Sequence, residues 1–208
     1  MKSIATLTAL TAMAALTAGQ ASAANAVFNG SFSQTTGATA DGWLGANVVP
    51  YTLSTDGRTD NFAISLSAPA VQGSGAIQNT VADGGQPDLT PGDTASYSFW
   101  VKGGGTSAVA DSQLRFLDSS GNILYNSGPI FFNTLVNTND YTQILGPQDI
   151  VIPTGANAAF IEFTMATGGV DDAEFLIDDV VLDVVPEPSS LALLGLGGLA
   201  LMRRRRSA

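Results

Sequence analysis

The sequence predicts an all-β protein: a two-sheet antiparallel β-sandwich, flanked by an N-terminal signal helix and a short C-terminal apolar helix. Three observations predict it. Through the middle of the chain, short runs alternate apolar and polar residues and are punctuated by Gly, Pro, Asn, Asp and Thr, the pattern of strands with one buried face. No convincing amphipathic helix interrupts them. Each end, by contrast, holds one apolar segment beside cationic residues, which is how targeting segments are built.

At the start, Lys2 precedes an apolar run that finishes at the small-x-small triplet Ala21-Ser22-Ala23. Residues 1–23 therefore read as a secretory signal peptide cut after Ala23. A second triplet, Ala24-Asn25-Ala26, leaves a cut after Ala26 open.

Residues 24–185 read as the β-sandwich domain. Its early strands include Phe62 to Leu66 and Ala76 to Val81. The clearest strand is "ASYSFWVK", which puts Ala95, Tyr97, Phe99 and Val101 on one face and Ser96, Ser98, Trp100 and Lys102 on the other. A Pro-Gly turn precedes it. In "SQLRFLDSSGNILYNSG", Leu114 and Phe116 alternate with Gln113 and Arg115, Asp118 to Gly121 supplies turn residues, and Ile123 to Tyr125 returns, so a hairpin is expected. "NAAFIEFTMAT" sets Ala159, Ile161, Phe163 and Met165 opposite Phe160, Glu162 and Thr164. The last strand, "AEFLIDDVVLDVV", is strongly β-branched and interrupted by Asp178 and Asp179. Alternation on antiparallel strands implies two sheets packed face to face, about 10 Å apart.

Residues 186–208 form a second address. From Ser189 to Met202 the chain is apolar, and as a helix this stretch would rise about 21 Å, short of a roughly 30 Å hydrocarbon core. The arginines at 203–206 compensate, because their stems can lie along the apolar boundary while their heads reach water. Cations beside a span favour the cytoplasmic side, so the sandwich would face away from the cytoplasm. The signal peptide independently demands the same topology.

Composition narrows the function. The chain carries a net charge of −10, and without Lys2 and the four terminal arginines it is −15, with only Arg58, Lys102 and Arg115 left positive. A nucleic-acid partner needs a basic footprint and is excluded. There is no cysteine and no histidine. An exported domain of this kind forgoes disulfides, and Ser-His-Asp catalysis, Cys-His catalysis and His- or Cys-built zinc sites are all ruled out. A carboxylate pair is the remaining catalytic option, but Asp178 and Asp179 diverge as strand neighbours and no acid-base pair is legible, so no enzyme is expected.

Two resemblances sharpen this reading. Val185-Pro186-Glu187-Pro188, a short apolar helix and Arg203, Arg204, Arg205 and Arg206 resemble the PEP-CTERM sorting signal of exopolysaccharide-producing Gram-negative bacteria. That resemblance implies export by the secretion machinery, transient residence in the inner membrane through the tail, and processing by an exosortase near the Pro-Glu-Pro triplet. The mature protein would then reach the cell surface, outer membrane or extracellular matrix of a biofilm. Separately, Asn29-Gly30-Ser31-Phe32, Gly42-Trp43, the strand from Pro91 to Gly103, the turn from Ile152 to Ala156 and the segment Ile177 to Leu182 resemble, in order, the jelly-roll, galactose-binding-like modules attached to carbohydrate-active proteins.

A sugar site combines an aromatic face with a few polar hydrogen-bonders. Trp100 and Lys102 meet that pattern, with Arg115 and Gln113 expected on the corresponding face of a neighbouring strand; the plainer alternative is that Trp100 packs beneath a loop. Trp43 reads as core or loop plug. At least one of Asp178 and Asp179 should face inward, where a carboxylate needs a partner or a metal. The resemblance implies a structural calcium linking the start of the domain to its last strand, which carries over to Asp179 and Asn29, although Ser33 stands where an acidic residue is usual. The expected function is a non-catalytic surface or matrix protein associating with exopolysaccharide. Its alternatives are an adhesive matrix protein without a defined sugar and, more remotely, a polysaccharide hydrolase.

Overall fold

The computed structural model describes residues 23–47, 49–59, 62–68, 73–80, 89–104, 108–136, 138–167 and 173–187. The expected signal and tail helices lie outside these residues. Among the described residues no helix is long and apolar enough to cross a membrane.

Residues Ala23–Val185 form one compact unit. Its strands, in chain order, begin with β1 (Ala24–Asn25), β2 (Thr35–Thr36), β3 (Thr39–Ala40), β4 (Leu44–Ala46), β5 (Val49–Pro50) and β6 (Thr52–Ser54). Then come β7 (Ala63–Ala68), β8 (Gly73–Asn79), β9 (Thr94–Gly104), β10 (Ala108–Leu117) and β11 (Ile123–Asn126). The series closes with β12 (Ile130–Phe131), β13 (Thr142–Leu145), β14 (Ile150–Val151), β15 (Ala158–Thr167) and β16 (Ala173–Val185). Fourteen of them build two large sheets, and β2 pairs with β3 as a separate two-stranded ribbon. The first runs β13-β9-β16-β7-β6, with β1 added to β16 and β14 to β9. The second runs β11-β10-β15-β8-β4, with β12 added to β10 and β5 to β8. Only the short β5–β8 pairing is parallel among the pairings described. The all-β antiparallel sandwich expected from the alternation is the architecture found.

The alternating residues supply the core. Ala95, Tyr97, Phe99 and Val101 of β9 and Ala159, Ile161, Phe163 and Met165 of β15 are all buried. The two sheets meet at Phe99 and Phe163, whose rings lie edge to face with centroids 5.0 Å apart. Phe132 touches both Phe99 and Phe175, each at 5.5 Å. Edge-to-face geometry aligns the positive rim of one ring with the negative face of the other, which adds to the gain from burial. Tyr97 crosses the core differently: its hydroxyl shares a 2.7 Å hydrogen bond with Ser112 Oγ, and burial pushes its phenol far above the ordinary range.

Turn chemistry joins the strands. In Thr90-Pro91-Gly92-Asp93 the Asp93 N–H donates to the Thr90 carbonyl at 3.1 Å, and Gly92 takes φ +99°, the left-handed position that a type II turn reserves for glycine. The expected hairpin between β10 and β11 is present, in antiparallel register. At its tip the Asp118 carboxylate accepts the N–H groups of Ser120 and Asn122 at 2.8 and 2.9 Å, an Asx-type closure.

The opening loop explains two of the recognised sequence motifs. Asn29 Nδ2 donates to the carbonyls of Gln34 and Asp41 at 2.7 and 3.0 Å, while its Oδ1 accepts the Gln34 N–H. The Trp43 indole donates to the Asn29 carbonyl at 3.2 Å and packs against Phe32 and Phe163 at 5.2 and 6.0 Å. Trp43 is thus the plug expected, closing the sandwich beneath the loop.

Candidate functional site

Trp100 and Lys102 lie on the outer face of the first sheet, as the alternation of β9 requires. Opposite Trp100 stand Gln143 on β13 and Asp178 on β16. The segment 55–59, between β6 and β7, crosses this face as a strap. Arg58 donates its backbone N–H to Asp178 Oδ2 at 2.6 Å, stacks its guanidinium 3.6 Å from the Trp100 ring centre and pairs Nη1 with Asp179 Oδ2 at 2.5 Å. Thr59 Oγ1 donates to Asp179 Oδ1 at 2.8 Å. Lys102 pairs with Asp56 and lies 5.0 Å over the Tyr141 ring, while the Tyr141 hydroxyl donates to the Asp56 carbonyl at 2.6 Å. One face of Trp100 is therefore occupied by a cation held against the ring's negative quadrupole, beneath a loop, as the plainer alternative anticipated.

The acidic pair sits where β16 departs from alternation. The register shifts between Asp178 and Val181, and Asp179 takes φ +45°. Such a bulge inserts an extra residue and re-aims its side chains. Asp178 and Asp179 consequently both reach the strap, and Val180, Leu182 and Val184 return to the core. The expectation that a carboxylate would face inward needs correction. Asp178 is fully buried, but on the outer face of its sheet, roofed by the strap rather than packed between the sheets. Its partners are the N–H groups of Arg58 and Asp179, at 2.6 and 2.7 Å. Burial nonetheless pushes its carboxyl up to about 6.

The two residues assigned to calcium do not fit a shared cation site through their side chains. Asn29 spends its amide on loop backbone and Asp179 spends its carboxylate on Arg58 and Thr59. Among the described residues, no three His, Cys, Asp or Glu side chains gather as a metal cage.

Arg115 also needs correction. It does not share a face with Trp100: β10 pairs with β11, β12 and β15, whereas β9 pairs with β13, β14 and β16. Arg115 and Gln113 therefore lie on the outer face of the second sheet, across the sandwich. There they anchor a different array. Arg115 Nη2 donates to Gln113 Oε1 at 2.8 Å and pairs with Glu162 Oε2 at 2.7 Å, with the Phe160 ring 5.5 Å away. Gln113 donates to Asp111 at 3.3 Å, and Asp111 accepts from Thr164 Oγ1. Arg115 Nε is buried without a protein partner.

Apolar groups border this line. Phe131 stands opposite Asp111 and is 52% exposed; Leu44 and Ile77 continue the row through Glu162, with Leu44 53% exposed. The period of two in β15 sets Phe160, Glu162 and Thr164 opposite Ala159, Ile161, Phe163 and Met165, and that signal could have marked the array. Nothing in "TDGRTD" distinguishes the strap residues Asp56, Arg58 and Thr59 from an ordinary turn.

The architecture is a jelly-roll sandwich, similar in fold to solved carbohydrate-binding modules. The family 22 carbohydrate-binding module from Clostridium thermocellum Xyn10B superposes with a TM-score of 0.51 at 20% identity, over 78% of this chain and 96% of that one. The CBM22-1 xylan-binding domain of Paenibacillus barcinonensis Xyn10C gives 0.50 at 13% identity, over 76% and 93%. The enzymatically active domain of bacteriophage CBA120 tailspike protein 4 gives 0.55 at 23% identity over 77% of this chain, which spans only 21% of the tailspike chain. No curated protein sequence matches.

The chain's destination is marked by its other end. Residues 184–206 match the PEP-CTERM protein-sorting motif, so the chain is a secreted protein with a C-terminal membrane-anchoring sorting signal. Within that motif Val185 ends β16, Pro186 and Glu187 follow it, and Pro188 and the arginines at 203–206 lie outside the described residues.

Proposed function

We propose that this protein is an exported, non-catalytic carbohydrate-binding sandwich that associates with exopolysaccharide, after an exosortase has processed the tail that holds it transiently in the inner membrane. Its final place on this reading is the cell surface, outer membrane or surrounding matrix. The observation that carries the binding role is the Arg115-centred array on the outer face of the second sheet. Sugar hydroxyls pair with fixed planar polar groups, and sugar C–H faces pack on apolar rings. Here Arg115, Glu162, Gln113 and Asp111 hold one another in place beside Phe160 and the exposed Phe131. Arg115 Nε, buried without a protein partner, is a further donor beside the array. The xylan-binding domain of similar fold supports the ligand class.

What supports binding rather than hydrolysis is that Glu162 and Asp111 are tied to Arg115, Gln113 and Thr164. Hydrolysis needs an acid and a base free to face each other across the scissile bond.

Affinity electrophoresis of the Ala24 to Val185 fragment through acidic and neutral polysaccharides tests the proposal. Arg115→Ala and Phe131→Ala are expected to abolish retardation, and Trp100→Ala to leave it. Retardation lost only in Trp100→Ala would move the site to the strap face; a wild-type fragment that no polysaccharide retards would remove the binding role.

A further inference from the structure

Exposed apolar side chains gather at the end of the sandwich from which the chain leaves. On the first sheet Val151 of β14 and Val185 of β16 flank Thr94 of β9, and both are exposed. On the second sheet Ile123 of β11 pairs with Leu117, which also pairs with Ala158, and Ile123 and Leu124 are exposed. The turn from Ile152 to Asn157 joins the two groups. It starts directly after Val151, its Asn157 N–H donates to the Leu117 carbonyl at 2.8 Å, and its Gly155 lies against the Leu124 side chain. Apolar side chains scattered singly over a surface need no partner, whereas a cluster marks a contact.

Two features identify what it contacts. From Val185 to Ser189, where the apolar stretch of the sorting signal begins, four residue steps reach at most about 14 Å. While that stretch is in a membrane, lipid lies within this distance of Val185. Charge is the second feature: residues 117–124, 149–157 and 183–187 include Asp118, Asp149, Asp183 and Glu187 but no lysine or arginine. An acidic protein or an anionic headgroup finds no cation here, and a second copy would bring like charges together. A neutral lipid surface meets neither obstacle.

We propose that this end is a lipid-docking surface: Ile123, Leu124, Val151 and Val185 rest in the interface of the bilayer that holds the tail, through apolar rather than electrostatic contact. The inference rests on the anchoring role of the sorting signal, and it concerns the sandwich rather than the tail. Four side chains hold lipid weakly by themselves, but so short a tether keeps them beside it at high effective concentration. Strands β9, β10, β15 and β16 each start or finish at this end. They would rise from the lipid, leaving the Arg115 array on the flank of the sandwich open to polysaccharide.

Reconstitution of the tail-bearing chain into phosphatidylcholine vesicles tests this. The chain has no cysteine, so Ile123→Cys and Val151→Cys each give a single attachment point for an environment-sensitive dye. Val109→Cys is the control, at a position that is also exposed and lies on β10 eight places before Leu117, about 26 Å away along the strand. Nitroxide-bearing phospholipids are expected to quench the dye severalfold more at 123 and 151 than at 109, with a matching blue shift. Added phosphatidylglycerol should shrink that difference, because it repels the acidic end. Equal quenching at all three positions, on a chain that floats with the vesicles, would overturn the inference and leave the anchor standing. A blue shift without quenching would assign the end to a second copy, and quenching that grows with phosphatidylglycerol would make the contact electrostatic; the proposal falls in either case. A chain that does not float with the vesicles would remove the anchoring role and the docking surface together.

Discussion

At the scale of single residues, Asp178 is the group most shaped by its surroundings. It is buried under the strap with two N–H donors, yet burial raises its carboxyl from 3.8 to about 6. The fold therefore favours the protonated form. Its contribution is fully present below the unfolded value near 3.8 and is lost as pH rises through about 6. Unfolding of the wild type and Asp178→Asn in urea, compared at pH 4 and pH 7, isolates the effect. Relative to the variant, the wild type should lose up to about 3 kcal/mol across that interval; a gap that does not change with pH would mean that water reaches the carboxylate. Arg58 shows a second residue-scale effect, because the strap has meaning only through its contacts. Its guanidinium stands between Trp100 and Asp179, and no local pattern in the sequence announces either partner.

Among the elements, legibility followed length and period. The long strands β9, β15 and β16 carry enough alternating residues to declare their faces, and the β10–β11 hairpin declares itself through its turn. Strands of two or three residues such as β4, β5, β12 and β14 have no period to read. The bulge at Asp178 and Asp179 was illegible for a different reason: it is stabilised by the strap, more than a hundred residues earlier in the chain. The sheet to which each strand belongs is likewise a tertiary fact, so no pattern in β9 or β10 separates Arg115 from Trp100.

One of the two-residue strands makes a prediction of its own. In β1 and just after it, Asn25 Oδ1 accepts the N–H groups of Val27 and Leu182 at 3.0 Å each, and Ala26 is buried. A cut after Ala26 would delete all of this. N-terminal sequencing of the mature protein should therefore begin at Ala24, and a fragment starting at Val27 should be less stable by about 2–4 kcal/mol in urea unfolding, from the lost hydrogen bonds and buried methyl.

For the molecule as a whole, stability rests on the aromatic seam between the sheets, since the chain contains no cysteine. The guanidinium of Arg58 already supplies a positive partner to Asp179. Excess EDTA should accordingly leave the melting temperature of the Ala24 to Val185 fragment unchanged in differential scanning calorimetry. A drop of several degrees, restored by added calcium, would place a cation that the side chains of Asn29 and Asp179 do not provide for. The two outer faces also differ: one is crossed by its strap, the other carries the Arg115 array.

Ala24 lies directly across from Val184, so the path into the sandwich and the path out of it run side by side. Joining them by a brief linker, and reopening the ring at the exposed hairpin tip around Ser119 and Ser120, should give a circular permutant with the same strands in the same places. For the same reason the unit can be grafted into a surface loop of an unrelated host without prising that loop apart.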